Sequence, residues 1–545
     1  MTPEVPRTPW ESRLWVAVLI VLVLVRLPAF VAPAGSDQHL YMYVADRILA
    51  GGAPYVDAWD QKPPGVHLAY AFLRLFWPAT SAVALMDLLT AVSTAFLLIV
   101  LGRRLAGPRA GYLAAAVFLL FGDPSIARLD GLYLRGQCET LIAVAATGAL
   151  VLTWQRATKP VTFLAAGACL GAAFWLKYNA VAYGLPVLAA ALGTATAMGP
   201  DGVGERPASG ELLRRPGHMV LGGLAVSFPV LAFLWGHDGL TDWWLATIDY
   251  NLQYSRETYT GGFMGGVQYA LMLPIHRIRM DFLWFLGAVG TVLFLTSGRR
   301  HATESKVVLV LWLAAALASI LLNGARDLPQ YFLQAKPALA LAFGLGMTTL
   351  AGRSRVVGAV VGVVLVAGLW KVGTDAPGLL GFRWGGLPQA VENVTRDLDH
   401  ARGRLDRQAY LSRFIGQQKY DAAESDALTS LVADTTSPDE PIFVFGFSPG
   451  VYLESGRVSA SRFFWSRPVI LEFAAAYAGY GSHGLLGDLE RTRPSIVALQ
   501  KKDWGPGEPT SYEFMLATPH LRVWLDEHYT RERDTPFYSI WRRRP

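Results

Sequence analysis

The stretch "DQHLYMYVADRILAGGAPYVDAWDQKPPG" spans Asp37 to Gly65 and follows an apolar segment that begins near Leu14. A chain that has just crossed a bilayer needs no carboxylates, lysine or Pro-Pro turn for packing, so this stretch points to chemistry at the membrane surface. Ser36 and Asp37 are helix N-cap residue types, and Tyr41, Ala45, Ile48 and Leu49 recur at helical spacing up to a Gly51-Gly52 stop. The pattern predicts an amphipathic helix lying along the membrane. Asp60, Lys62 and the Pro63-Pro64 turn precede a second apolar surface helix, Gly65 to Trp77, whose rings suit headgroup depth.

Composition agrees with a membrane setting. Over 545 residues, 52% are hydrophobic and only 17% charged, and the mean hydropathy is +0.32, above the apolar share of soluble domains. Crossing a bilayer takes roughly 20 helical residues. Candidate spans are Leu14 to Val31, Ala82 to Leu101, Ala110 to Phe121, Gln137 to Trp154, Val161 to Leu176, Ala180 to Met198, Met219 to Trp235, Phe282 to Thr296, Val307 to Leu322, Tyr331 to Leu350 and Val356 to Trp370. These make about eleven transmembrane helices. Gly262 to Ile275, broken by Gly, Gln and Pro, reads as interfacial.

Basic residues in short loops stay on the cytoplasmic side. With the N-terminus inside, alternate loops carry Arg103, Arg104 and Arg109, then Arg156 and Lys159, then Arg206, Arg214 and Arg215, then Arg299, Arg300 and Lys306, then Arg353 and Arg355. The opposite set holds the first loop 33–80, the loop around Asp130, the aromatic loop His237 to Asp281 and everything after Lys371. Function is therefore expected outside. No A-x-A cleavage site precedes Asp37, so the first span reads as a retained anchor. The net charge of +6 is accounted for mostly by the cytoplasmic loops and implies no nucleic-acid partner. Cys138 and Cys169 fall in apolar segments and read as packing residues.

After Lys371 the pattern changes. A charged helical stretch, Leu387 to Tyr420, leads to "PIFVFG" (Pro441 to Gly446), "SIVALQ" (Ser495 to Gln500) and "FYSIWRR" (Phe537 to Arg543), which read as strands. Glu472 to Tyr480 and Tyr512 to His528 are expected to be helices. The chain thus divides into a membrane module, residues 1–371, and a small external α/β domain, residues 372–545.

The first loop resembles that of GT-C glycosyltransferases in the protein mannosyltransferase and lipid A aminoarabinose or galacturonosyl transferase-like group. "GQCETLIA" (Gly136 to Ala143), "GAAFWLKYNAVAYGLP" (Gly171 to Pro186), "RDLPQYFLQAKPALAL" (Arg326 to Leu341) and the tail "IFVFGFSPGVYLESGRVSASRFFW" (Ile442 to Trp465) agree in order, so the resemblance covers most of the chain. It implies an α-helical polytopic membrane protein of the GT-C fold. It also implies transfer of a sugar from a polyprenyl-phosphate carrier to a glycan, lipid or protein acceptor, among membrane lipids at the outer face of the cell membrane. The family's first-loop acid corresponds to Asp37. The acid that commonly follows it is Gln38 here, which leaves a divalent metal an open question and names no cofactor.

An acceptor hydroxyl attacking an anomeric carbon must lose its proton, and a positioned carboxylate contributes roughly 10²- to 10⁴-fold. Because phosphate is a good leaving group, one base plus cationic clamps suffices for an inverting displacement. Asp37 is the expected base. Lys62, beside its Pro-Pro turn, is the leading phosphate clamp, and Lys177, at a helix break, is a second. Arg326 and Lys336, entering a late span, are further phosphate candidates. Tyr41, Asp60, Glu139, Gln330 and Tyr331 are candidate substrate contacts; relatives often carry His where Gln330 stands. Arg457 and Arg462, with the aromatics of "SGRVSASRFFW" (Ser455 to Trp465), are expected over the site to select the acceptor. His39 and His67 read as packing or hydrogen-bonding residues, and no spacing names a metal site. The rival class is a lipid or glycan transporter or flippase, but the two halves show no repeat.

Overall fold

The computed structural model describes residues 9–154, 159–193, 209–256, 262–298, 303–324, 327–375, 387–416, 420–505 and 507–545. In chain order its helices are α1 (Pro9–Leu24), α2 (Ser36–Leu49), α3 (Gly65–Arg74), α4 (Ala82–Ala106), α5 (Pro108–Phe121), α6 (Cys138–Thr153), α7 (Pro160–Leu176) and α8 (Gly184–Gly193). They continue as α9 (Ser209–Gly236), α10 (Leu240–Trp244), α11 (Tyr250–Arg256), α12 (Gly262–Met280), α13 (Phe282–Leu295), α14 (Thr303–Leu321), α15 (Lys336–Thr348) and α16 (Arg355–Asp375). Two compact units emerge. Unit 1 takes Met1–Phe30, Ala84–Pro229 and Ser255–Asp397, and unit 2 takes Val31–Val83, Val230–Tyr254 and Leu398–Pro545.

Unit 1 is a helical bundle. Each of the eleven expected spans contains a helix, residues 194–198 at the end of Ala180 to Met198 lying outside the described residues, but in the described residues only five helices are long and apolar enough to cross a membrane alone. The others are shorter because polar residues and 3₁₀ turns interrupt them, as Lys177 does between α7 and the 3₁₀ segment Tyr178–Tyr183. Gly262 to Ile275 belongs to a continuous helix, α12, which meets α13 at a bend of 107°. Asp281 makes that corner: its Oδ1 accepts from the backbone N–H of Leu283 at 2.8 Å and Trp284 at 3.3 Å, capping α13. Small residues let the helices meet. A Cβ on Gly290 of α13 would lie 2.3 Å from the Cα of Phe343 on α15, and one on Gly167 of α7 would lie 1.9 Å from the Met219 carbonyl on α9. Val356, Val360, Val363 and Val366 leave α16 with an exposed apolar face, as a lipid-facing helix requires. The protein is a multi-pass membrane protein.

Unit 2 joins the first loop to the C-terminal residues. Its strands are β1 (Ile415–Gly416), β2 (Tyr420–Asp421), β3 (Phe443–Phe445), β4 (Ile496–Gln500), β5 (Tyr529–Asp534) and β6 (Tyr538–Arg543). The main sheet has the order β3-β4-β6-β5, parallel between β3 and β4 and antiparallel elsewhere. Phe443 stands opposite Val497 and Ala498 opposite Ile540. Both β3 and β4 are buried throughout, as continuous apolar runs require. The three predicted strands are therefore present, with β5 added, whose "YTRERD" is too polar to announce itself.

Four expectations for unit 2 are corrected. Glu472 to Tyr480 forms turns rather than a helix, with Glu472 and Ala474 in left-handed conformations. Tyr512 to His528 is two helices, Ser511–Ala517 and Pro519–His528, because Pro519 starts a new one. The charged stretch after Leu387 ends as a helix at Ala401 and resumes for one turn, Arg407–Leu411, before β1. Finally, α2 is no surface helix. Leu40, Tyr41, Met42, Tyr43, Val44 and Ala45 are all buried, because Tyr43 packs on Tyr452 and Phe464 and its hydroxyl accepts from the Ser459 N–H at 2.9 Å. By contrast, α3 and the residues just after it keep an apolar exposed face, with Phe72, Leu75 and Phe76.

Candidate active site

In unit 1, polar chemistry collects where helices end. By alternation along the chain, α1 finishes, α4 begins, α5 finishes, α6 begins, α7 finishes and α15 begins at one end of the bundle. Here Glu139, in the first turn of α6, accepts from Lys177 Nζ at 2.6 Å. The same ammonium lies 4.2 Å from the centroid of the Tyr331 ring. Three of the candidate residues are thus brought together, and Glu139 is fully buried while Lys177 retains some exposure. A buried carboxylate needs such a partner. The ammonium also faces an aromatic π-cloud that holds a cation without neutralising it.

A second cluster lies beside it in the same unit. Arg26 pairs with Asp87 at 2.7 Å and donates to the Leu119 carbonyl at 3.2 Å. Lys336, the first residue of α15, joins this pair in lining a cavity of ≈ 30 Å³ that Thr90, Thr94 and Thr140 complete, a volume suited to one water. Gln334 is buried in the 3₁₀ turn Pro329–Ala335, accepting from Ser319 at 2.7 Å and from Tyr183 at 3.2 Å. Gln330, in the same turn, is half-buried. Arg277 is buried over the Phe332 ring, 3.2 Å from its centroid, and its Nε and Nη2 make no hydrogen bond among the described residues. A guanidinium so placed is equipped to bind an anion. Arg326 lies outside the described residues. Sequence reading missed Arg26, Asp87, Arg277 and Gln334; the only signal was charge or amide inside otherwise apolar helix ends.

In unit 2, Gly35 rather than Ser36 or Asp37 is the N-cap of α2. Asp37 therefore sits in the first turn, half-buried, where a carboxylate meets the positive end of the helix dipole. Tyr41 is buried with its ring 6.0 Å from both His67 and Tyr70. Asp60 and His67, both buried, lie 3.1 Å apart, and Asp60 Oδ1 also accepts from the Gln61 N–H at 2.7 Å. Lys62 is half-buried. Its backbone is pinned by the Tyr55 hydroxyl, which donates to the Lys62 carbonyl at 2.7 Å, and by Asn251, which donates to the Gln61 carbonyl at 2.7 Å.

His39 lies 3.4 Å from Glu454, and Arg407 lies 3.5 Å from the same carboxylate. Burial pushes the Glu454 carboxyl up, but the neighbouring His39 and Arg407 side chains outweigh it and hold the group below its ordinary value. Burial likewise pushes the Tyr43 phenol up to about 12, so it stays a neutral hydrogen-bonding group.

The expected arginine display is corrected. Arg457 is buried and donates to the carbonyls of Ser455 and Thr436 at 2.5 and 2.6 Å. Arg462 pairs with Asp242 at 3.0 Å and donates to the Gly479 carbonyl at 2.9 Å. Phe463, Phe464 and Trp465 are buried too, clustering with Trp59, whose carbonyl accepts from Trp465 Nε1 at 2.9 Å. The segment is a structural core because its aromatics need burial more than exposure.

Comparison with solved structures shows that the chain has the GT-C fold. ArnT from Cupriavidus metallidurans, bound to undecaprenyl phosphate, aligns over 98% of this chain and 98% of its own, at 16% identity and a TM-score of 0.61. The same protein in the apo state aligns over 97% and 98%, at 14% identity and a TM-score of 0.59. The oligosaccharyltransferase AglB from Archaeoglobus fulgidus, in complex with an inhibitory peptide and a dolichol-phosphate, aligns over 98% of this chain and 74% of its own, at 11% identity and a TM-score of 0.48. No family model matches the chain, and no curated protein sequence matches it.

Proposed function

We propose that the protein is an inverting membrane glycosyltransferase that moves a sugar from a polyprenyl-phosphate donor to a glycan, lipid or protein acceptor at the outer face of the cell membrane. The reading is supported by the fold shared with ArnT, whose solved structure carries undecaprenyl phosphate. The observation that carries it is Lys177, ion-paired with Glu139 and lying over Tyr331 at a buried helix end. An ionisable pair at a break between apolar helices is functional by default, and its ammonium is suited to meet a negatively charged headgroup.

In the proposed step the Asp37 carboxylate takes the acceptor's hydroxyl proton as the oxygen attacks the anomeric carbon. The bond from that carbon to the phosphate oxygen breaks, and its electron pair leaves with the lipid phosphate. Lys62, Lys177, Lys336 and Arg326 are assigned to the phosphate charge that grows as the bond breaks. Asp60, Tyr41, Gln330 and Tyr331 are assigned to shaping the substrate contacts. Among the described residues no three His, Cys, Asp or Glu side chains gather as a metal set.

The test is a reconstituted assay with polyprenyl-phosphate sugars. Transfer by the wild type is expected, and Lys62→Ala is expected to weaken donor binding about tenfold or more, since it removes a charge-assisted contact. Lipid movement across the vesicle membrane without any transfer would replace this reading with the transporter one. An alkaline phosphatase reporter fused after Trp541 is expected to be active; a silent fusion, with a cytoplasmic reporter active at the same point, overturns the assigned side.

A further inference from the structure

Within unit 2 a groove of ≈ 680 Å³ opens between α10, the residues that follow it, and the turn segment near Tyr477. Its walls include Trp243, Trp244, Tyr477, Thr241 and Asp249. Trp244 is 51% and Tyr477 53% exposed, and the Trp243 and Trp244 indoles meet edge to face at 6.2 Å. Two uncommon backbone features converge on it. Leu245–Asp249 is a π-helix, a form that recurs at functional sites, and it carries Asp249 into the wall. Opposite, Glu472 and Ala474 hold left-handed φ angles of 47° and 55°, a strain that persists only where the surroundings enforce it. Glu472 is held by the Ser482 N–H, which donates to its Oε2 at 3.0 Å, and the far end of the segment is held by Asp242, which accepts from Arg462 at 3.0 Å and from Tyr480 at 2.5 Å, while Arg462 donates to the Gly479 carbonyl. The result is an exposed tyrosine held across from a tryptophan pair.

We infer that this groove is a carbohydrate subsite that takes a pyranose ring of the acceptor; the inference rests on the glycosyltransferase reading. Flat aromatic faces stack on the apolar C–H face of a sugar ring, while Asp249 and Thr241 offer an acceptor and a donor to its hydroxyls. The volume lies in the range of small-ligand sites, about 300 to 1,000 Å³. Charge decides against the other occupants. The Asp249 carboxylate repels a phosphate or an anionic headgroup, and an alkyl chain would bury it unpaired.

Binding is read without donor, so it stands apart from transfer. The full chain in phospholipid nanodiscs is probed by saturation-transfer NMR with maltose, mannobiose and galactobiose, and with dodecyl phosphate as the lipid-like probe. At least one disaccharide is expected to receive saturation, and Tyr477→Ala and Asp249→Asn are each expected to weaken its binding about fivefold. Both positions are partly exposed, so the folded baseline is kept. In the transfer assay the same variants are expected to raise the acceptor KM and leave the donor KM unchanged. Silence with all three disaccharides overturns the subsite, as does dodecyl phosphate binding that the same variants abolish. Wild-type protein that binds a disaccharide through these residues yet transfers nothing breaks the transferase reading and keeps the subsite.

Discussion

The two units differ in the partners that hold their buried charges. In unit 1 two buried ion pairs join separate helices near their ends, Arg26 to Asp87 and Glu139 to Lys177, because a helix interior inside a bilayer has no spare backbone partner and a lone charge there is costly. In unit 2 carboxylates meet cations too, as Asp242 meets Arg462 and Glu508 meets Arg467, but irregular backbone and hydroxyls also serve them: Asp503 accepts from the N–H groups of Trp504 and Ser511 and from the Ser511 hydroxyl. Five of the seven described non-glycine residues with left-handed φ, namely Tyr55, Asp238, Glu472, Ala474 and Arg493, belong to unit 2. Strain is tolerated there because a mixed α/β core supplies fixing contacts from many directions. The bundle supplies rigid helix ends; the second unit supplies shaped loops.

The largest expected effect tests the aromatic core of unit 2. Trp59 is fully buried against Tyr250, Phe463, Trp465 and Phe473, so Trp59→Ala should cost about 3 to 5 kcal/mol through the cavity it leaves. Urea unfolding followed by near-ultraviolet dichroism would read it, and a wild-type midpoint would remove the cluster from the account. Next comes the bundle. Lys177→Met strands the Glu139 carboxylate, costing roughly 3 kcal/mol, whereas Lys177→Met combined with Glu139→Gln should recover most of it. Thermal-shift midpoints of the single and double variants decide between a coupled pair and two independent groups.

Asp37→Asn follows. Asparagine keeps the size and an acceptor oxygen, so the stability penalty should be on the order of a lost dipole interaction, about 0.3 to 1 kcal/mol. Transfer is expected to fall 10²-fold or more, about 2.7 kcal/mol of barrier, with donor binding retained. Full turnover would send the search for a base to Glu139 and Asp60.

The smallest effect is a pH dependence in unit 2. Burial pushes the Asp503 carboxyl from 3.8 up to about 6, despite its hydrogen bonds from Ser511 and Trp504. The folded state therefore holds this proton more tightly than the unfolded chain, so the group's contribution is full below pH 3.8 and is lost as pH rises through 6. Asparagine keeps an acceptor for the N–H groups and offers a donor to the hydroxyls. Asp503→Asn should accordingly stabilise the protein at pH 8 by on the order of 1 to 2 kcal/mol, with no advantage at pH 4. Melting curves across that range would show it, and an advantage independent of pH would assign the effect to packing instead.

Much of the frame was legible from the chain alone. A long apolar run has one stable state in a bilayer, so every expected span contains a helix, and β-branched or aromatic runs such as "PIFVFG" and "SIVALQ" form strands. Those rules are local. The reading of α2 failed because its partners, Tyr452 and Phe464, come from some four hundred positions away, and no periodicity within "LYMYVA" announces them. Arg457 and Arg462 looked like a display for the same reason: an arginine's carbonyl and carboxylate partners are invisible until the chain has folded. Tertiary structure alone placed Lys177 between Glu139 and Tyr331, drawing on three helix ends separated in sequence. It alone turned "FAAAYAGY" from a helical pattern into a strained wall that holds Tyr477 across from Trp244. Hydrophobic period and helix-ending residues act over a few neighbours, so sequence determined the elements. Which charge meets which, and which ring stays exposed, depends on contacts between elements, and only the folded chain decides those.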